Sequence, residues 1–241
     1  MFAEDVELTP LPFGEEDVEV SLLDVTRLVD TASIASRFLG EREREEYARL
    51  RHPSRRREWL GARVCLKTML LRRRDVSDPI QCEIVKDASG RPRLSFAPGG
   101  SASVAYDCSL SHKDRFACAC ACASASSRAD ARVGVDIEKV SPRLLRLAGA
   151  FAGDRASLIR PRPPEERLAL LWALKEACAK AVGGGLGTAL GHVSCEETAE
   201  GRHQVRTREG IAFHARHVLH DGYVVALCLG TAEAQRQRKG R

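Results

Sequence analysis

Two short stretches of the sequence hold residue types at spacings that could do chemistry. In Gly134-Val135-Asp136-Ile137-Glu138, alternation on a β-strand turns Asp136 and Glu138 to one side and predicts Val135 and Ile137 on the other, in the core. Two carboxylates side by side offer hard oxygen ligands for Mg2+, which commonly takes one or two protein carboxylates and completes its shell with water and substrate phosphate. The ordinary alternative is a half-exposed strand with acids on its wet face. The second stretch is Trp172-Ala-Leu-Lys175-Glu176-Ala-Cys-Ala-Lys180. On a helix Trp172, Glu176 and Lys180 form one stripe at i, i+4 and i+8, with Lys175 about a quarter-turn round. A Glu–Lys pair at i+4 is a common surface feature worth only about 0.3–0.5 kcal/mol. Here, however, Leu168, Leu170, Leu171, Leu174, Ala177 and Ala181 make the helix apolar on most sides, so its charged residues call for a reason.

The elements that position these residues follow from periodicity. A strand is expected over 18–25, a charged helix over 41–51, and a break at His52-Pro53-Ser54, with Ser54 as N-cap of a helix over 55–72. Strands over 80–85 and 91–96 flank a turn at 87–90, and a Pro98-Gly99-Gly100 loop precedes a Cys-rich strand over 116–122. The second half repeats the order: a strand over 132–138, a helix over 142–151, a Pro-rich break, and a long helix from Pro164 to the glycines at 183–185. Strands over 192–197, 213–219 and 223–229 complete it, with a turn near Gly201. This predicts an α+β architecture of two similar halves, each a small, mostly antiparallel sheet with a long helix. The halves are expected at 1–123 and 133–241, joined by an Ala/Ser-rich linker over 124–132 that has nothing to bury.

At 241 residues the chain is long enough to bury a core without disulfides or a structural metal. Its composition, 44% hydrophobic and 29% charged, excludes disorder, collagen and coiled coil as the whole answer. No apolar run approaches the roughly 18–20 residues of a membrane span, and the acidic start, Met1-Phe2-Ala3-Glu4-Asp5, is unlike a signal peptide. A cytoplasmic protein without a membrane partner is expected. Nine cysteines, an odd number without a CxxC pair, fit buried small hydrophobes in a reducing compartment. Cys118, Cys120 and Cys122 would share one strand face, about 6.6 Å apart in succession and without a His at ligand spacing, which argues against zinc.

With Asp136 and Lys175 39 residues apart, the two motifs together resemble the 4'-phosphopantetheinyl transferases, in particular the monomeric type that activates surfactin synthetase. Those enzymes carry Gly-Val/Ile-Asp-x-Glu, then after roughly forty residues Trp/Phe-x-x-Lys-Glu-Ala/Ser-x-x-Lys. Ser111-His112 is similar to the family's Ser-His, although its usual Asn two residues before the Ser is Ser109 here. Gly90-Arg91-Pro92 resembles the family's Gly-Lys/Arg-Pro turn, whose basic residue meets the 3'-phosphate of coenzyme A, and Arg57 falls where the family places another coenzyme A-binding Arg. The Ala/Ser linker is longer than usual for the family.

The resemblance implies a monomer with that family's duplicated fold, coenzyme A as substrate, Mg2+ as cofactor, and an apo acyl or peptidyl carrier protein as partner. The transferred group would be 4'-phosphopantetheine, the acceptor a carrier serine, and the product 3',5'-ADP. It implies Asp136, Glu138 and Glu176 as metal ligands, Glu176 also as base toward the serine, and Lys180 on the pyrophosphate. Arg57, Arg91, Ser111 and His112 would bind coenzyme A. The competing readings are a metal-dependent nuclease or phosphoesterase and a basic RNA-binding protein. Restriction-type nucleases place their Lys beside an acidic ligand on a strand rather than on a helix. Only 5% of residues are aromatic, too few for base stacking, so a nucleic-acid partner is not expected. Net charge is +5, but Arg236, Arg238, Lys239 and Arg241 within 235–241 carry four of those charges, leaving +1 for the rest, and the tail looks disordered from about 232. The remaining basic clusters, Arg55 to Arg57 and Arg72 to Arg74, suit a phosphorylated cofactor and an acidic protein partner.

Overall fold

A computed structural model describes residues 5–15, 17–96, 106–123, 131–151, 156–159, 161–183, 193–208 and 210–231. The Pro98 loop, the linker up to 130, Gly184, Gly185, His192 and the basic tail lie outside the described residues. The fold is α+β, and the chain divides into two compact units at Ala125/Ser126. Ala131 and Arg132, assigned from sequence to the linker, already pair within a strand of the second unit.

In the first unit β1 (Thr9–Pro10) and β2 (Val18–Asp24) are followed by α1 (Thr31–Phe38), α2 (Glu41–Arg49) and α3 (Pro53–Arg72). Next come the hairpin β3 (Cys82–Lys86) and β4 (Pro92–Phe96), then β5 (Tyr106–Lys113) and β6 (Phe116–Ala123). The sheet runs β1-β2-β6-β5, antiparallel throughout. Ser54 does not cap α3: the helix begins at Pro53, with His52 in extended geometry at the N-cap and no side-chain cap. The fixed φ of proline suits the first helical position, where its missing N–H costs nothing. Every residue from Trp59 to Leu70 is buried, with Ala117, Ala119 and Ala121 of β6 in the same apolar cluster. The turn closing the β3–β4 hairpin places Gly90 at φ +82°, where a side chain would be strained.

The second unit contains β7 (Ala131–Lys139), a 3-10 helix (Pro142–Phe151), β8 (Ala156–Ser157), α4 (Pro164–Val182), β9 (Ser194–Ala199), β10 (Arg202–Arg206), β11 (Ala212–His220) and β12 (Tyr223–Thr231). The sheet order is β7-β12-β11-β10-β9-β8, antiparallel except for the β8–β9 pair. The segment expected as an ordinary helix is 3-10 because it has little to pack: Leu145 and Leu147 stay 45% and 40% exposed. α4 begins with Pro164 at its first position and Glu165 and Glu166 in its first turn. It ends at Gly183, whose φ of +85° closes the helix as its N–H meets Ala179 O.

All nine cysteines are reduced and buried. Burial pushes the thiols of Cys82 and Cys108 up to about 12 and raises those of Cys65, Cys120 and Cys228 well above the usual range.

Candidate functional site

The second unit assembles its charged residues where β7 lies against α4. Val133 to Glu138 are buried on both faces of β7, and Gly134 fixes which face meets the helix. A Cβ on Gly134 would sit 1.9 Å from the carbonyl oxygen of Ala177 and 2.7 Å from the nitrogen of Ala181, both backbone atoms of α4. Only glycine permits that approach. Strand alternation then turns Asp136 and Glu138, two and four residues on, toward α4 as well. Val135 and Ile137 lie in the core as expected, at 0% and 1% exposed, on the face away from that contact. The apolar cluster around α4 takes Val224, Ala226 and Cys228 from β12, the partners of Glu138, Asp136 and Gly134 in register, while Val135 and Ile137 are buried on the other face. The acids do not lie on a wet face either: Asp136 is 4% exposed and Glu138 8%.

Lys180, one turn beyond Glu176 on α4, donates to Asp136 Oδ1 at 2.7 Å and to Val135 O at 3.1 Å. Its side chain is about a third exposed, whereas Glu176 is buried and Trp172 half-buried. Lys175, a quarter-turn away, is also buried. Asp136, Glu138 and Glu176 are buried and offer the carboxylate oxygens that a hard divalent cation takes, but among the described residues the group whose ligand atoms all lie within 4.8 Å of one another is Glu197, His203 and His217 instead.

In the first unit the residues assigned to coenzyme A fall into separate surroundings. Arg57 is exposed on α3. His112, on the face of β5 that carries Tyr106, Cys108 and Leu110 toward the α3 cluster, places Nδ1 2.9 Å from Glu58 Oε2 on α3. Burial raises the Glu58 carboxyl, with Arg55 acting against it. Ser111 is the next residue along the strand and therefore points to the opposite face, opposite Cys118 of β6, where it is buried. Arg91 is also buried: its Nη2 donates to both oxygens of Asp107, at 2.8 and 2.6 Å. Arg93, which the sequence reading passed over, is the more exposed guanidinium. It donates to Asp87 Oδ2 at 3.0 Å and lies 3.6 Å from Asp107 Oδ1. Neither Glu58 nor Asp107 was selected from sequence, because only the α3–β5 and β4–β5 contacts reveal them as partners.

A second polar cluster in the second unit was also missed. Glu197, His203 and His217 lie on neighbouring strands β9, β10 and β11, with ligand-type atoms within 4.8 Å of one another. Glu197 is held by Arg162, whose Nη1 and Nη2 reach its two oxygens at 3.1 and 2.8 Å, and by the Ile159 N–H at 2.9 Å. Burial alone would raise its carboxyl, but these hydrogen bonds bring it down to about 2. His203 Nε2 faces His217 Nδ1 at 2.8 Å. Burial, followed by the neighbouring His217, holds His203 down to about 4, so both rings are neutral near pH 7 and the cluster acts as an internal polar network.

Among the described residues no helix is long and apolar enough to cross a membrane. The family model described as the 4'-phosphopantetheinyl transferase superfamily matches residues 132–228. That range contains Asp136, Glu138, Glu176 and Lys180 and excludes Arg57, Arg91, Ser111 and His112. Among solved structures, the chain is similar to a Bacillus anthracis holo-(acyl-carrier-protein) synthase in complex with CoA (3',5'-ADP), with 22% identity and a TM-score of 0.39, over 44% of this chain and 94% of that one. It is also similar to the Thermotoga maritima holo-[acyl-carrier-protein] synthase, with 25% identity and a TM-score of 0.36, over 54% and 72%. A holo-ACP-synthase from Plasmodium yoelii has 15% identity and a TM-score of 0.37, over 44% and 92%. No curated protein matches the chain.

Proposed function

We propose that the protein transfers the 4'-phosphopantetheine group of coenzyme A to a serine of an apo acyl or peptidyl carrier protein, with Mg2+, and releases 3',5'-ADP. The observation that carries this reading is the joining of the two motifs, with Lys180 of α4 2.7 Å from Asp136 of β7, inside the stretch that matches the superfamily. Two α+β units within one chain support the monomeric, duplicated type over a small single-unit enzyme.

Asp136, Glu138 and Glu176 would hold the Mg2+, which when bound neutralises pyrophosphate charge that otherwise repels a nucleophile. Glu176 accepts the proton of the carrier serine, directly or through a water, as that oxygen bonds to the pantetheine-bearing phosphorus. The bond from that phosphorus to the bridging oxygen breaks, and the electron pair leaves with 3',5'-ADP. Lys180 presents an ammonium to the oxygens on which that charge develops. Arg57, His112, Ser111 and the Arg91 turn would bind the nucleotide end, and the arginines at both ends of α3 suit an acidic carrier.

The test is to incubate the protein with coenzyme A, Mg2+ and several apo carrier proteins and to weigh each carrier. A gain of one phosphopantetheinyl group is expected; no gain with any carrier refutes the function.

A further inference from the structure

Glu197, His203 and His217 take no part in the proposed transfer, yet three neighbouring strands bring them to one point. Glu197 of β9 and His203 of β10 are directly opposite in register, and His203 is opposite Ala215 of β11, which puts His217, two residues further on, on the same face. The β9–β10 ladder shifts register between Arg202 and His203, and an irregularity of that kind re-aims a side chain. The ligand-type atoms of the three lie within 4.8 Å of one another, with Glu197 4% and His203 2% exposed and His217 half-buried. Hydrogen bonding alone does not satisfy this group. His203 Nε2 and His217 Nδ1 are 2.8 Å apart, one donating and the other accepting, while His203 Nδ1 is buried with no hydrogen-bond partner. Arg162 and the Ile159 N–H supply three donors to Glu197, two at Oε2 and one at Oε1. A carboxylate has about four acceptor positions, so Oε1 keeps one for a cation.

We propose that Glu197, His203 and His217 form a site for a divalent metal of the zinc class, which clips β9, β10 and β11 together. Two imidazole nitrogens and one carboxylate oxygen suit Zn2+, Co2+ or Ni2+, whereas Mg2+ takes oxygen ligands. Ligand atoms on a tetrahedral Zn2+ stand about 3.3 Å apart, so the two rings need to open only slightly from 2.8 Å to admit the ion between them. The ring that donates in the pair moves its proton to its other nitrogen, and each ring then turns a lone pair to the metal without net loss of a proton. The half-buried edge at His217 gives the ion a way in and leaves room for the water that completes four-coordination. Arg162, donating to both oxygens of Glu197, orients the ligating carboxylate. The charged groups acting on the two rings are Glu197, Glu200 and Arg162, and Glu166 lies 3.5 Å from the Arg162 guanidinium, so carboxylates outnumber it. The site shares no residue with Asp136, Glu138, Glu176 and Lys180 and does not depend on the transferase reading.

Chelator-treated full-length protein is titrated with Zn2+ by calorimetry near neutral pH, in excess Mg2+ to occupy sites built from oxygen alone, for the wild type, His203→Gln and His217→Gln, with folding checked by circular dichroism. One Zn2+ per chain should bind the wild type with a Kd of about 1 μM or tighter, and each variant should bind it at least about tenfold more weakly. Should His203→Gln fold poorly, the half-buried His217→Gln and an NMR titration of the wild type keep the proposal testable: Zn2+ should shift the ring resonances of both His203 and His217, and Mg2+ should move neither. Absence of Zn2+ binding, equal binding by the wild type and both folded variants, or ring resonances that ignore Zn2+ would each overturn the site. None of these results bears on carrier modification, so the transferase reading stands or falls separately.

Discussion

Gly134 of β7 and Ala177 of α4 are in backbone contact, so close that the smallest side chain on the strand would overlap the helix carbonyl. The contact sets the separation between the strand that carries Asp136 and Glu138 and the helix that carries Glu176 and Lys180. It makes glycine, otherwise unremarkable before an acidic pair, part of how the charged residues are brought into register.

Gly134→Ala should therefore lower stability by about 2–3 kcal/mol or more, because the atoms it meets are backbone and cannot rotate away. Urea denaturation followed by circular dichroism measures this. A variant as stable as the wild type would mean that strand and helix separate freely and that the contact does not position the site.

Glu176→Gln keeps the shape of the side chain but removes the proton acceptor. Transfer should drop by roughly 10²–10⁴-fold while 3',5'-ADP affinity changes by less than about threefold, as read by carrier mass and calorimetry. Near-normal turnover would exclude Glu176 as the base.

Arg91→Ala leaves the Asp107 carboxylate, 3% exposed, with its best donor gone. Breaking a buried pair from one side typically costs about 3–5 kcal/mol, and Arg93 at 3.6 Å should recover part of that. A clear drop in melting temperature is expected, and the double variant Arg91→Met with Asp107→Leu should regain some of it. An unshifted melting curve for Arg91→Ala would show that the pair with Asp107 contributes nothing to stability.

The His203–His217 pair predicts the acid limb of stability. His203 titrates near 4 in the folded protein against about 6.5 when unfolded. The unfolded chain therefore binds the proton first, and stability falls as pH drops from about 6.5 toward 4, by up to roughly 3 kcal/mol in total. Urea midpoints at pH 7, 6 and 5 should fall more gently for His203→Gln. Parallel curves would show that the pair is not what titrates.

The main elements were legible wherever periodicity was strong. Long apolar stretches gave α3 and α4, and the motif spacing placed Asp136 on a strand and Glu176 on a helix. What escaped the sequence depends on partners distant along the chain. α1 has eight residues, too few for a periodic signal. β10 is short and polar, with two arginines in its five residues. Without it, Glu197, His203 and His217 could not be seen to converge. Alternation correctly separated Asp136 from Val135 but could not say which side meets α4, because both are buried. The Ser111-His112 dipeptide reads as one unit in sequence, yet the pleat sends its members to opposite faces.

The sequestered thiols also bear on the company this protein would keep. Coenzyme A ends in a thiol, and its oxidised forms exchange readily with any protein thiolate they can reach. Here every cysteine is enclosed in the fold, and those whose acidity is perturbed are all held further from the thiolate form. A chain with nine sulfhydryls is thus chemically silent toward mixed-disulfide formation while folded, so a drift in redox conditions should leave it unmodified.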